Sequence, residues 1–463
     1  MAENNTNQRE IRVLAPTSIL GGGFRKTSFE RAMEWKPDLI ACDAGSTDPG
    51  PNFLGSGDMQ FGLPAIRRDL EIMIRAARRA RIPLLIGSAE TGGSDEQLAK
   101  VVQLAREIAA AHDLNFRLGV VHCEPSREYL LNKYRSGDIG ALSASSPAID
   151  ETTLEHSNHI VAVGGPEVFT NALDNGADVV IAGRTTDASI FASLPVQRGM
   201  GQGASWHAAK ILECSAAAVE QRLYPDPLFA WVREDHFVVE PPNPEYRCTP
   251  MSVASHNLYE NGSPYELREP GGTLMSDHSV YEAISDRAVK VSGSRFEPVD
   301  QYSVKLEGTE RVGYQNIIIG GVRDPLILRQ FDSWLKGIVD TIRRRYIEIF
   351  GEELAARIKV STRRYGVDGV LGDREPTPEI GHEIGLVIEI TAPTQEVADT
   401  AAKTAAHISV HYPISEWTGL ITGIAFPYSP HELQRGAVYR FSFNHVMKLE
   451  DPLEPFSLEL ISL

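Results

Sequence analysis

The stretch "LIACDAGSTDPGPNFLGSG", Leu39 to Gly57, opens as an apolar run and closes in a loop dense in glycine, proline, hydroxyls and carboxylates. Asp43 ends the apolar run, where partial desolvation favours a neutral carboxyl and makes a proton-transferring group of it. Gly45 lets a backbone come close to a ligand, and Ser46 and Thr47 offer hydroxyl donors. Asp48 precedes a proline that pushes it towards an extended conformation, so it is available to a ligand or a metal rather than to a helical cap. The plainer alternative is an Asx-turn in which Asp43 only ties down its own loop.

Other loops carry similar chemistry. "GRTTDAS" places Arg184, Thr185, Thr186 and Asp187 before a helical run. Arg184 is a fork that can clamp a carboxylate or phosphate beside a helix N-terminus, although a capped helix start explains the rest of the motif equally well. His122 and Glu124 stand two apart at the end of a strand and so face one side. Aligned with Asp43 and Asp48, they form a proton-transfer pair or a divalent-metal site, with a structural histidine as the bland reading. These four are the candidate catalytic residues. Gly22 and Gly23 in "GGGF", Ser88, Glu90 and Thr91 in "GSAETGG", and Gly164 and Gly165 in "GGPE" join Ser46, Thr47 and Arg184 to Asp187 as candidate substrate contacts. The glycines form no full GxGxxG, which argues against a dinucleotide. "DAGST" has the look of an ATPase phosphate hairpin, but "DPGP" blocks the second strand that hairpin needs.

The elements that must position these residues are visible as a strand-then-helix rhythm. "IRVLAP", "DLIACD", "IPLLIGS", "FRLGVVHCE", "HIVAVGG" and "DVVIAGR" are apolar runs without alternation, as expected of parallel strands covered on both faces. Amphipathic stretches such as Ala65 to Arg81 and Ser94 to Asp113 lie between them, the second opening with the Ser94/Gln97 spacing of a capping box. The expected fold class is therefore α/β, a Rossmann-like parallel sheet with helices on both faces, followed by a smaller α+β region. Ligands of such sheets bind beyond the carboxyl ends of the strands, which is where all the candidate residues fall.

The rhythm changes after the proline-rich "YPDPLFAW" and "VVEPPNPEYRCTP". The expected organisation is a disordered lead-in over 1–10, an α/β domain carrying the site over 11–225, a β-rich region with a long helix over 226–355, and an α+β tail over 356–463. The turn segment "EPGGTL" (Glu269 to Leu274) is expected to pack over the site as a lid.

Composition narrows the partners. The 463 residues are 42% hydrophobic and 23% charged, ordinary for a soluble globular chain with a large core. With 62 acidic against 45 basic residues the net charge is -17, which opposes nucleic acid and anionic membranes. The four cysteines form no CxxC pair, so a cytoplasmic protein with reduced thiols is expected, and no apolar run is long enough to span a membrane.

The blocks "APTSILGGGF", "DAGSTDPGP", "GSAETGG", "GADVVIAGRTTDASIFA", "WHAAKILEC" and "LYENGSPYELREPGGTL" together resemble the acyclic terpene utilisation (AtuA) family over roughly residues 11 to 450. The resemblance implies a catabolic protein, either with a ferredoxin-like tail or working beside a small separate protein, and transfers no catalytic residues. Two functions are carried forward. One is a lyase, hydratase or isomerase acting on a small carboxylic acid or its CoA thioester, as a homo-oligomer, with no named cofactor beyond a divalent metal as an option. The other is a non-catalytic metabolite-binding or scaffold subunit.

Overall fold

A computed structural model describes residues 9–259, 261–416 and 422–463. Residues 1–8 of the expected lead-in lie outside the described residues. The apolar runs form strands β1 (Ile11–Ala15), β2 (Leu39–Asp43), β3 (Leu84–Gly87), β4 (Arg117–His122), the short β5 (Ile139–Ala141), β6 (His159–Ala162) and β7 (Val179–Ala182). Parallel pairings join β1, β2, β3, β7 and β4 in that order. Alternate residues of each strand enter different cores. Val13, Leu39, Ala41 and Leu85 pack with Ile190, Phe191, Trp206 and Ile211 from the helices Asp187–Gln197 and Gln202–Leu212. Leu14, Ile40, Cys42, Leu84 and Ile86 pack with Leu70, Ile74, Leu98 and Ile108 from Leu63–Ala80 and Asp95–Ala111. Helices on both faces follow from that alternation.

The purely parallel sheet does not. The sheet has ten strands and is mixed, with antiparallel pairings outnumbering parallel ones. Beyond β1 it continues antiparallel through β8 (Leu228–Val232) and β9 (His236–Glu240) to two later strands, Val289–Ser292 and Val280–Ala283; beyond β4 it ends in the strand Ser457–Ser462. The run "HIVAVGG" supplies β6, but β6 pairs antiparallel with a later strand and stays outside this sheet. An apolar run records that both faces are covered and says nothing about which neighbour it pairs with or in which direction.

The segment after β9 forms β10 (Glu266–Glu269), β11 (Gly272–Met275), β12 (Val280–Ala283), β13 (Val289–Ser292), β14 (Arg295–Pro298) and the long β15 (Ser303–Val322). β10 and β11 are a hairpin turning at Pro270 and Gly271, and with β14 they make a separate three-stranded sheet. Then come the helices Pro325–Arg329 and Phe331–Ala355, the latter with non-helical Gly351 near its end, where the sequence suggests one helix over Leu326 to Phe350. β16 (Lys359–Tyr365), β17 (Ile384–Ala392), the helix Gln395–Val410, β18 (Glu432–Lys448) and β19 (Ser457–Ser462) complete the chain.

Two compact units result. One is Met1–Glu310 with Phe441–Leu463, the other Arg311–Arg440, so the divisions fall inside β15 and β18. The sequence reading draws its divisions at 225 and 355 instead. In the second unit the later part of β15, β16 and β17 are antiparallel neighbours, and Ile318, Ile388 and Ile390 pack with Trp334, Ile338, Ile342, Ala398 and Ala402. The succession from β15 to β18 is β-α-β-β-α-β, that of a split β-α-β layer.

Candidate active site

Asp43 is buried at the end of β2, and Gly45 N–H donates to its Oδ2 at 3.0 Å. That is the Asx-turn of the plain reading, but it occupies only one oxygen. Oδ1 is buried and has no hydrogen-bond partner among the described residues. Burial, with the charge of Asp187, pushes this carboxyl well above the usual carboxylate range, against the pull of Arg184 and the Gly45 N–H. Gly45 makes the turn possible: its φ is +115°, and a Cβ there would stand 2.8 Å from Thr91 Cγ2 and 2.9 Å from Ile19 Cδ1.

Arg184 leaves β7 and is likewise buried. Its Nε donates to Glu307 Oε2 at 2.9 Å, and its Nη1 donates to Ser88 Oγ at 2.8 Å, Thr185 O at 3.1 Å and Gly45 O at 3.4 Å. Asp187 Oδ1 lies 3.6 Å from Nη1. Burial would lower the guanidinium, but Glu307 and Asp187 overcome it and keep Arg184 charged. Burial would raise Glu307, yet Arg184 and Lys305, whose Nζ is 2.6 Å from Oε1, hold it at about 2. The expected open clamp is thus an internal ion-pair hub. Only Nη2 donates to no described residue.

The remaining loop residues divide. Ser88, Thr185, Thr186, Gly164 and Asp187 gather around Arg184: Ser88 Oγ donates to Thr185 O, and Gly164 exchanges backbone bonds with Arg184 O and Thr186 N–H. Thr186 stands at the start of the helix Asp187–Gln197 without a side-chain cap bond, and the buried Oγ1 atoms of Thr185 and Thr186 have no hydrogen-bond partner among the described residues. A Cβ on Gly165 would run into Tyr302 Oη. Thr47 and Asp48 line a cavity of about 570 Å³ with Ser145, Lys305, Glu307 and Phe443, while Ser46 Oγ only accepts from Asp48 N–H. Glu307 therefore joins that cavity to Arg184.

Ser88, Glu90 and Thr91 have φ of +53°, +50° and +68°, a strained turn for side-chain-bearing residues. Glu90 Oε2 accepts from Gln60 N–H at 2.8 Å, Oε1 is buried and unpartnered, and burial pushes the carboxyl up to about 7.

Two groups of candidates are bonded to partners other than the Asp43 carboxyl. The N–H groups of Gly21 and Gly23 donate to Asp69 Oδ2 at 3.1 and 2.9 Å, and Gly22 N–H donates to Ile19 O. The glycine loop offered by sequence as an anion cradle with Gly22 and Gly23 is filled by the protein's own carboxylate. His122 Nδ1 is 2.8 Å from Asp95 Oδ1, and Glu124 Oε1 is 2.9 Å from His159 Nδ1. Both side chains bond away from Arg184, because Cys123 between them is the residue that turns towards Gly183. Among the described residues no group of three or more His, Cys, Asp or Glu is arranged to hold a metal ion.

Sequence reasoning missed five charged residues. Lys305 and Glu307 lie on β15, far along the chain from any strand exit. Lys210 Nζ is 2.5 Å from Glu213 Oε1, both buried at the end of the helix Gln202–Leu212; a Lys and a Glu three apart in "WHAAKILEC" were the available signal. Glu269, on the hairpin expected as a lid, is within electrostatic range of Asp187, Glu213 and Lys210.

No curated protein and no solved structure matches the chain. Residues 64–221, which include Ser88, Arg184 to Asp187, Lys210 and Glu213, match the model of the family described as acyclic terpene utilisation family protein AtuA, and this bears out, over that part of the chain, the family resemblance read from the sequence.

Proposed function

We propose that the protein is a catabolic enzyme, a lyase, hydratase or isomerase that moves a proton on a small carboxylic acid or its CoA thioester. AtuA membership suggests a role in acyclic terpene utilisation, and the chemistry is argued from the site. The observation that carries it is Asp43 Oδ1, a buried, unpartnered carboxyl oxygen within electrostatic range of a buried guanidinium. Burial makes the Asp43 carboxylate a stronger base than usual, suited to taking a proton from carbon next to a carboxyl or thioester carbonyl. Arg184, through Nη2, and Lys305 supply positive charge for the substrate anion and for charge developing on the carbonyl oxygen. The strained Ser88 to Thr91 turn fixes the hydroxyl that orients Arg184.

The test begins with thermal shift against short, branched and unsaturated carboxylic acids and their CoA esters, since a ligand of the native state raises the melting temperature. Binders are then incubated in D2O and followed by NMR. The wild type exchanges a carbon-bound proton, and Asp43→Asn, which keeps the size but cannot accept the proton, loses the exchange by about 10²–10⁴-fold. A folded Asp43→Asn protein that exchanges at the wild-type rate overturns the reading and favours a metabolite-binding subunit.

A further inference from the structure

One carboxyl is half of the machinery that adding or removing water requires. A base takes the proton from carbon, and an acid must protonate the departing oxygen. The hairpin of β10 and β11 brings a second carboxyl to the strand exits. Glu269 is the last residue of β10, directly before the Pro270–Gly271 turn. The residue is half-buried, and its Oε2 is buried and has no hydrogen-bond partner among the described residues. The Thr186 hydroxyl is close enough to favour the charged form, but neither Thr186 Oγ1 nor Glu269 Oε2 completes a hydrogen bond of normal geometry. A Cβ on Gly165 would stand 3.4 Å from Pro270 Cβ, and the neighbouring Gly164 bonds the backbones of Arg184 and Thr186, so the hairpin turn lies against the loop that carries Arg184. Asp187 and Glu213 act on Glu269 and on Asp43 alike.

We propose, building on the proton-transfer reading above, that Glu269 is the second catalytic carboxyl and that the reaction is the reversible elimination of water from a hydroxy acid or its thioester. In the elimination, the Asp43 carboxylate takes the carbon-bound proton, that C–H electron pair moves towards the carbonyl oxygen as an enolate, and it returns to form the new C=C bond as water leaves. The C–O bond breaks with its electrons on oxygen, and the Glu269 carboxyl donates its proton to that oxygen, which leaves as water. Asp43 ends protonated and Glu269 ionised; proton exchange with solvent restores both. Hydration is the reverse.

The surroundings suit the role. Burial pushes Glu269 up to about 8, so it carries a proton at neutral pH. Glu213 and Asp187 reinforce this, Thr186 and Lys210 oppose it, and Tyr302, whose Oη donates to Glu167 Oε2 at 2.5 Å, adds a neutral neighbour. Because the hairpin carries the acid, the chemistry is complete only when the hairpin covers the strand exits.

The test compares wild type, Asp43→Asn, Glu269→Gln and Glu269→Asp on the acid found by the screen, each checked for a wild-type melting profile. Glu269→Gln should lose net dehydration about 100-fold while retaining carbon–deuterium exchange, and should lose the fall in wild-type dehydration above about pH 8. Glu269→Asp, which keeps the proton on a shorter arm, should recover part of the rate together with that alkaline limb. A wild type that neither exchanges nor dehydrates any acid overturns both readings. An active wild type beside a Glu269→Gln protein of unchanged rate and unchanged alkaline limb overturns this inference and leaves Asp43 standing.

Discussion

The charges around Arg184 set the energetic character of the site, because a guanidinium this deeply buried is tolerable only while its partners are ionised. Glu307 is the closest partner and is itself buried. Glu307→Gln removes its charge and leaves Arg184 with Asp187 and a raised Asp43, so the variant should lose about 3–5 kcal/mol of stability by urea denaturation. A loss below 1 kcal/mol would show that Asp187, 3.6 Å from Nη1, is enough to offset the buried guanidinium. Two histidines give a separate residue-scale prediction. The hydrogen bond and charge of Asp95, with Glu459 adding to them, raise His122, and those of Glu124, helped by Glu96 and opposed by Arg127, raise His159. A folded value above the unfolded one, about 6.5, means that this stability is fully present below that pH and fades as pH rises through the folded values. Melting temperatures should therefore decline on the alkaline side of neutrality, and a His122→Gln/His159→Gln double variant should flatten the decline; an unchanged slope would assign it to other groups. At this scale the sequence revealed Asp43, Arg184 and their loops, since each stands where an apolar run stops. It could not reveal Glu307, whose role depends on a strand more than 100 residues away, or that Asp69 fills the glycine loop.

At the scale of elements, the site depends on turns that ordinary residues resist. Gly45 at +115° lies against Thr91, itself at +68°, so the loops after β2 and β3 lock together. Gly45→Ala adds a Cβ 2.8 Å from Thr91 Cγ2 in a conformation that L side chains rarely adopt. It should cost about 1–3 kcal/mol and depress proton exchange more than Asp43-independent ligand binding, read as a kcat loss larger than the KM change. Equal changes in both would mean that the loop only holds substrate. Local signals of this kind read well from sequence. Ser94 and Gln97 do form their capping box, because that motif is closed within one turn of helix. Pairing is the opposite case. β6 and β8 have the same apolar look as β2, yet one leaves the sheet and the other enters it reversed, since direction is decided by connections and partners far along the chain.

At the scale of the whole molecule, the chain is organised as an insertion. The proline clusters near Tyr224 and Pro241 suggest a boundary, but they belong inside the first unit, where Asp226 between them accepts from Ser28 Oγ at 3.0 Å and from Asn243 Nδ2 at 2.6 Å. Those prolines shape the entry and exit of the antiparallel pair β8 and β9 and separate nothing. The divisions at 310 and 440 instead interrupt two strands, so the chain crosses both in extended, paired backbone rather than in a loop. They are also the ends that matter for independence. β15 and β18 are neighbours in sheet order, so the segment between them begins and ends on adjacent strands, and it brings its own core of Ile318, Trp334, Ile338, Ile388 and Ala402. A segment with neighbouring ends and a private core is expected to fold by itself. Expressed alone, residues 311–440 should show a cooperative thermal transition by far-UV circular dichroism with helix and strand both present. The complementary protein, with that segment replaced by a short glycine-rich turn, should keep carbon–proton exchange, because Asp43, Arg184, Lys210, Glu269 and Glu307 all belong to the first unit. A non-cooperative melt of 311–440 would make it a dependent layer. A folded deletion protein without exchange would mean that the second unit contributes to catalysis.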